Sequence, residues 1–279
     1  MSPLSEIGLV ALREFKKNYR SIKGIILLLI SVLGAAATAL VLAYIRKQAE
    51  GKVSADELKA GFEKFLSADF WYGPGDTATY LSDAPPMLYW IMWGTVWLTP
   101  LMMAILGFDG ISGELQNRTV RYWNLRTRRW TYYCGKVLGL WLVTSAFTFM
   151  IHALVWLVAI GFAIAPSSLI LKWGLHFFMV TVPISAAWCG VSMLVSSNFR
   201  IPILALLATC GVFFGLWTLK GLGLTLEHMD ALRWVYPNSY DEFLLSPKPQ
   251  EVLKGVGALF GFMALSTAVG SFIFAKRDV

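Results

Sequence analysis

Apolar residues fall into six stretches of about 20 residues, at about 24–45, 86–108, 136–165, 171–196, 201–219 and 254–275, set apart by polar and charged segments. Each is long enough to cross a hydrocarbon core about 30 Å thick as an α-helix. None has an Asp or Glu in its interior. The pattern predicts an all-α polytopic membrane protein, one transmembrane domain over residues 1–279 with six spans. The first stretch runs on through Tyr44 into Arg46-Lys47 without the small-residue exit of a cleaved leader, so it reads as a permanent helix.

The segments between the spans carry their own patterns. Leu4, Ile7, Ala11, Phe15, Tyr19 and Ile22 recur every three or four residues, with Arg13, Lys16, Lys17, Arg20 and Lys23 mainly on other faces. Residues 1–23 are therefore expected to hold an amphipathic helix lying in the membrane interface. Between 46 and 85, Ser54-Ala55-Asp56-Glu57 reads as a capping box opening a short helix with Leu58, Phe62, Phe65 and Leu66. Phe70-Trp71-Tyr72-Gly73-Pro74-Gly75 then combines aromatic anchors with turn residues, as expected where a chain re-enters the headgroup region. A second loop, 220–253, carries Trp234-Val235-Tyr236-Pro237 and the apolar Phe243-Leu244-Leu245, and both loops read as external caps or lids closing the pore, with docking of a soluble partner as the alternative.

Composition and charge sharpen this picture. The chain has 279 residues, 57% of them hydrophobic and 15% charged, with mean hydropathy +0.60. A soluble domain carries about a quarter charged residues, so that class is excluded. The net charge of +7 points to basic loops on one membrane face rather than to nucleic acid. Arg13, Lys16, Lys17, Arg20, Lys23, Arg118, Arg121, Arg126, Arg128, Arg129, Lys136, Arg200, Lys276 and Arg277 would all lie on the side of the termini. Both termini are expected in the cytoplasm, with 46–85 and 220–253 outside. Cys134, Cys189 and Cys210 show no paired spacing and read as small core residues.

Several features inside the spans are ambiguous by themselves. Gly135/Gly139, Gly211/Gly215 and Gly257/Gly261 have the spacing that lets helices approach closely. Pro100 and Pro183 lie within spans two and four, where a missing N–H should kink a helix. Ser145, Thr148 and His152 form a polar stripe on span three, readable as part of a transport pathway or as helix packing. Thr181, Ser185, Trp188, Ser192 and Ser196 form a similar stripe on span four. An ion-coupled secondary transporter, the alternative reading, normally places an acid in the membrane interior, and here only His152 is ionisable at that depth. Neither H-E-x-x-H nor G-x-S-x-G occurs, and no metal site is indicated, which argues against an intramembrane enzyme.

The loop after span two is denser in charge than a hairpin needs. Its order is an acid closing the span (Asp109), Ile111-Ser112-Gly113-Glu114, then Thr119, a basic run Arg126-Thr127-Arg128-Arg129, and Gly135-Lys136 opening span three. This arrangement resembles the permeases of type-2 ABC transporters, most of which are exporters. The resemblance extends to the N-terminal amphipathic helix, the six spans, the Pro-containing segment at Tyr236-Pro237 and the ending Ala275-Lys276-Arg277-Asp278. Two departures stand out: family members often have Gly where this chain has Arg118, and Pro within the stretch Arg126-Thr127-Arg128.

What the resemblance implies is a division of labour. The chain would be the permease of an ATP-driven exporter in the cell inner membrane, working with a separate cytoplasmic ABC ATPase, in two copies, that binds ATP and Mg. It would pair with a second permease copy, identical or related. No G-x-x-x-x-G-K-[ST] loop is present, so the chain itself is not expected to hydrolyse ATP or to hold a cofactor. A cytoplasmic coupling helix over about 110–122 would meet the ATPase within the loop 109–135. Asp109, Ser112, Glu114, Arg118, Thr119 and Arg121 are its expected coupling residues, with Glu114 and Arg118 four apart on one face.

Overall fold

In a computed structural model, residues 2–49, 54–68, 72, 75–124, 126–226 and 228–276 are described. Arg277 and Asp278, together with Phe70, Trp71, Gly73 and Pro74 of the aromatic segment, lie outside them. Helix α1 (Pro3–Arg20) starts at an N-cap, Ser2, whose hydroxyl accepts from the Ser5 N–H, with Pro at the first helical position. It turns through Ser21 into α2 (Ile22–Ala49). The elbow depends on Gly24, because a Cβ there would run into the Asn18 carbonyl oxygen. The Ser21 hydroxyl donates to that carbonyl at 2.8 Å and accepts from Gly24 N–H at 3.0 Å.

The capping box forms as expected: Ser54 N–H donates to Glu57 Oε2 at 2.8 Å and Glu57 N–H to Ser54 Oγ at 3.2 Å. It opens α3 (Ala55–Leu66), followed by α4 (Asp76–Ser82) and α5 (Pro86–Gly107). Two single-turn helices, α6 (Ser112–Gln116) and α7 (Val120–Asn124), lead to α8 (Arg129–Gly161), α9 (Ser167–Asn198) and α10 (Pro202–Thr225). Two 3-10 turns, Asp230–Val235 and Pro237–Tyr240, then α11 (Asp241–Leu244), precede α12 (Pro249–Ala275). Among the described residues there are no strands.

Among the described residues six helices, α2, α5, α8, α9, α10 and α12, are long and apolar enough to cross a membrane. They coincide with the six apolar stretches, but α8 starts seven residues before the expected 136, which moves Lys136 from a span's mouth to two turns inside a helix. Pro100 and Pro183 sit within α5 and α9 respectively. Helix α9 is the centre of the bundle, packed by α5, α8, α10 and α12. Trp173, Ile184, Trp188, Cys189 and Met193 along it are all buried. The Ser192 and Ser196 end of its polar stripe meets α5: Ser192 Oγ donates to the Met103 carbonyl at 2.9 Å, and Ser196 Oγ to the Phe108 carbonyl at 2.8 Å. Such interhelical hydrogen bonds and small side chains hold membrane helices together where apolar burial gives no net drive.

Candidate functional site: a charged junction at the coupling loop

The loop after α5 is built onto α1, and the glycine pair of α8 is what admits α1. A Cβ on Gly135 would lie 2.6 Å from Val10 Cβ, and one on Gly139 2.6 Å from both the Ala11 carbonyl oxygen and Glu14 Cβ. The corresponding positions on Gly211, Gly215, Gly257 and Gly261 meet nothing within 4 Å. Of three glycine pairs with the same spacing, only one makes a close helix contact among the described residues.

At about 100° per residue, α1 has three faces. The expected apolar stripe, including Leu4 and Tyr19, is partly exposed, and an apolar groove of about 460 Å³ lined by Ile7, Ala11, Leu12, Phe15, Leu138 and Trp141 runs beside it. Arg13, Lys16 and Arg20 are exposed on a second face. The third face turns inward and carries the only acids before residue 50, Glu6 and Glu14, with Val10 and Asn18.

Each carboxylate meets α8. Glu6 Oε2 accepts from the Arg128 N–H at 3.2 Å and from Thr131 Oγ at 2.7 Å. It thereby caps the start of α8, where a negative charge complements the helix dipole. These hydrogen bonds hold the Glu6 carboxyl below the usual carboxylate range. Glu14 lies 2.5 Å from the Lys136 ammonium. Burial alone would push its carboxyl up, but the Lys136 and Lys17 ammoniums outweigh that and hold it below the ordinary range.

Lys136 binds a second carboxylate, Glu114 of α6, through Oε1. Glu114 Oε2 accepts from the Tyr132 hydroxyl, one turn before Lys136 on α8. Lys17 stands 3.8 Å from Glu14 and 4.0 Å from Glu114. Two carboxylates therefore face two ammoniums, and the Lys136 side chain is only 1% exposed. Removing one member of such a buried cluster leaves an uncompensated charge and costs about 3–5 kcal/mol.

The rest of the loop is anchored just as locally. Asp109 pairs with Lys23 at the start of α2. Ser112 is fully buried and donates to the Phe108 carbonyl at 2.6 Å. Ser196 of α9 accepts from the Ile111 and Ser112 N–H groups, both at 3.2 Å, satisfying donors at the start of α6 that the helix leaves open. Thr119 closes the turn through its N–H to the Glu114 carbonyl at 3.0 Å. The Arg13 guanidinium lies 4.1 Å over the Trp123 ring, and Arg129 donates to the Ala275 carbonyl at 2.6 Å.

Two expectations need correction. The coupling helix is not one helix over 110–122 but two single turns broken at 117–119. Glu114 and Arg118 do not share a face: α6 ends at Gln116, Glu114 points into the chain, and Arg118 is exposed. The break centres on Arg118, whose φ of 56° is left-handed, a conformation costing an L-residue about 1–2 kcal/mol and free to Gly. What remains on the surface is a ridge of Gln116, Asn117, Arg118, Arg121 and Tyr122, the last 72% exposed. Glu14, Tyr132, Lys136 and Ser196, which brace this ridge, were not among the expected site residues. The signal available for Glu6 and Glu14 was that they are the only acids in an otherwise basic helix.

Within the span-three stripe Thr148 and His152 are buried inside the chain and Ser145 is half-buried. Thr148 and His152 are 3% and 2% exposed. The His152 ring stands edge-on to Phe178 of α9 at 6.1 Å, and neither Ser145 Oγ nor His152 Nε2 has a hydrogen-bond partner among the described residues. Among the described residues no group of three or more His, Cys, Asp or Glu could hold a metal ion.

Among the described residues the chain forms a bundle of six long apolar helices with a charged junction at one end. The chain belongs to the ABC-2 family transporter proteins, whose family model matches residues 9–279. No curated protein matches the chain. It is thus a multi-pass membrane protein and the permease component of an ABC transporter, a transport subunit rather than a catalytic one.

Proposed function

We propose that this permease belongs to an ATP-driven exporter and meets a separate cytoplasmic ABC ATPase through the ridge at 116–122. The observation that carries this reading is the contrast between ridge and base. Arg118, Arg121 and Tyr122 project freely, while behind them Asp109 is tied to α2, Ser112 to α9 and Glu114 to α8 and α1, with Thr119 closing the turn onto Glu114. A push on the ridge would reach those helices through ion pairs rather than through a slack loop. The basic residues near this end support placing it, with both termini, in the cytoplasm of a cell whose inner membrane holds the complex. Six spans and the largely uncovered surfaces of α2 and α10 support pairing with a second permease copy. Two ATPase copies would then supply ATP and Mg.

In this reading Asp109, Ser112, Glu114 and Thr119 position the ridge, and Arg118 and Arg121 touch the ATPase. A pathway role for Ser145, Thr148 and His152 requires α8 to move from α9. The test is reconstitution. The chain alone should not hydrolyse ATP, and with its ATPase it should give transport-coupled turnover that falls in Arg121→Glu and Tyr122→Ala. Turnover by the isolated chain, or full coupling in both variants, overturns the reading.

A further inference from the structure

At the end of the bundle opposite α6, the segment between α10 and α12 dives inward. Val96 lies ten residues into α5, about 15 Å along its axis, and Asn238 reaches it. The Asn238 Nδ2 group donates to the Val96 carbonyl at 2.9 Å, and its Oδ1 accepts from Trp188 Nε1 at 2.7 Å. Asn238 is 4% exposed, and the Trp188 ring is enclosed by Phe213 at 4.5 Å and Tyr236 at 5.4 Å. The Val96 carbonyl is a particular one. Its helical partner would be the N–H of residue 100, and residue 100 is Pro, which has none. A side chain from a non-spanning segment supplies the donor that the proline withholds.

We infer that Asn238 is a latch: it holds the re-entrant segment 230–245 closed in the end of the bundle opposite the coupling loop, and its release from the Val96 carbonyl is a step in opening that end. This rests on the permease reading. The physical basis is that the latch has two satisfiable states. Irregular backbone at membrane depth is stable when buried in protein or when it lines water. Closed, the buried Asn238 amide, the Trp188 N–H and the Val96 carbonyl satisfy one another. Withdrawn, all of them need water, because Pro100 leaves the carbonyl no helical substitute. Retraction and wetting are therefore one event. The neighbouring Ser239 hydroxyl, buried and without a hydrogen-bond partner among the described residues, would gain one on exposure.

The test uses full-length chain in proteoliposomes, with Cys134, Cys189 and Cys210 replaced by Ala and Ser239→Cys as reporter for a membrane-impermeant maleimide. Labelling should be slow in this parent. Asn238→Leu, which removes both hydrogen bonds, should speed it at least about tenfold, since each is worth about 1 kcal/mol net. Asn238→Asp, which keeps the acceptor for Trp188 but lacks the amide donor, should do likewise. Pro100→Ala returns an N–H to the carbonyl, so it should speed labelling alone and shrink the further effect of either Asn238 variant. Fast labelling of the parent, unchanged rates in both Asn238 variants, or Asn238 effects of equal size with and without Pro100→Ala would overturn the latch. These arms need no ATPase, so their failure is separate from failure of the coupling reading. With the ATPase bound, ATP should speed labelling of the parent but not of Asn238→Leu. ATP-independent labelling of a parent that couples normally would leave Asn238 a static brace and overturn the opening step.

Discussion

The ammonium of Lys136 stands 2.5 Å from Glu14, joining two helices whose residues lie 122 positions apart, and the same ammonium holds Glu114 of α6. One buried cation thus fixes the N-terminal helix, the coupling loop and the base of α8 to each other. Lys136→Met should leave two carboxylates facing each other and lower stability by about 3–5 kcal/mol. Adding Glu14→Gln and Glu114→Gln should restore much of it, because the repulsion is then gone. Thermal unfolding in detergent measures both. If the triple variant is no more stable than Lys136→Met, the cluster is not a coupled unit.

Acid should loosen the same junction. Glu6 and Glu14 both have their carboxyls held below the ordinary range by their partners. The folded state then binds fewer protons than the unfolded state near the unfolded value of about 4.3. The stability they contribute is present above that pH and is lost as pH falls through their folded values. Wild type should therefore lose stability on acidification more steeply than Glu6→Gln/Glu14→Gln. Parallel pH profiles would show that neither carboxylate is linked to folding.

The glycine pairs separate seat from surface. Gly139→Ala places a Cβ 2.6 Å from the Ala11 carbonyl, a backbone atom that cannot rotate away. Overpacking of this kind costs about 1–3 kcal/mol and should displace α1. Gly257→Ala meets nothing and should gain about 0.5–1 kcal/mol from helix propensity. Melting curves for the two variants check the contrast, and equal shifts would mean that α1 does not depend on Gly139.

What was legible in the sequence follows the range of the interactions involved. The six spans and the capping box of Ser54 and Glu57 are local, and each was readable from consecutive residues. The polar first turns of α8, before the apolar stretch, are not local in this sense: Glu6, on another helix, holds their start. Glu114 was singled out on the family resemblance, yet its pairing with Lys136 and Tyr132 could not be read, since nothing within α6 indicates which way a lone carboxylate points. The three glycine pairs are indistinguishable by spacing, and what separates them is α1, which is seated on Gly135 and Gly139. The span-four stripe was readable as polar, but whether it faced a pathway or α5 depends on which helix lies beside it.

Arg118 gives the sharpest test of the ridge, because its backbone and its charge can be removed separately. The left-handed φ of 56° is relieved by Gly and not by Ala. Arg118→Gly should raise stability by about 1 kcal/mol, and Arg118→Ala should leave it near wild type. If the guanidinium touches the ATPase, both variants should weaken complex recovery alike, since both lose the charge. Glu114→Gln should behave differently: it keeps its shape but weakens the hold of Lys136 on α6, so the complex should form while hydrolysis uncouples from transport. Complex recovery and transport-coupled ATPase activity, measured for all three, distinguish these outcomes. Full recovery in both Arg118 variants would place the ATPase contact elsewhere on the ridge, and full coupling in Glu114→Gln would remove the buried cluster from the transmission of force.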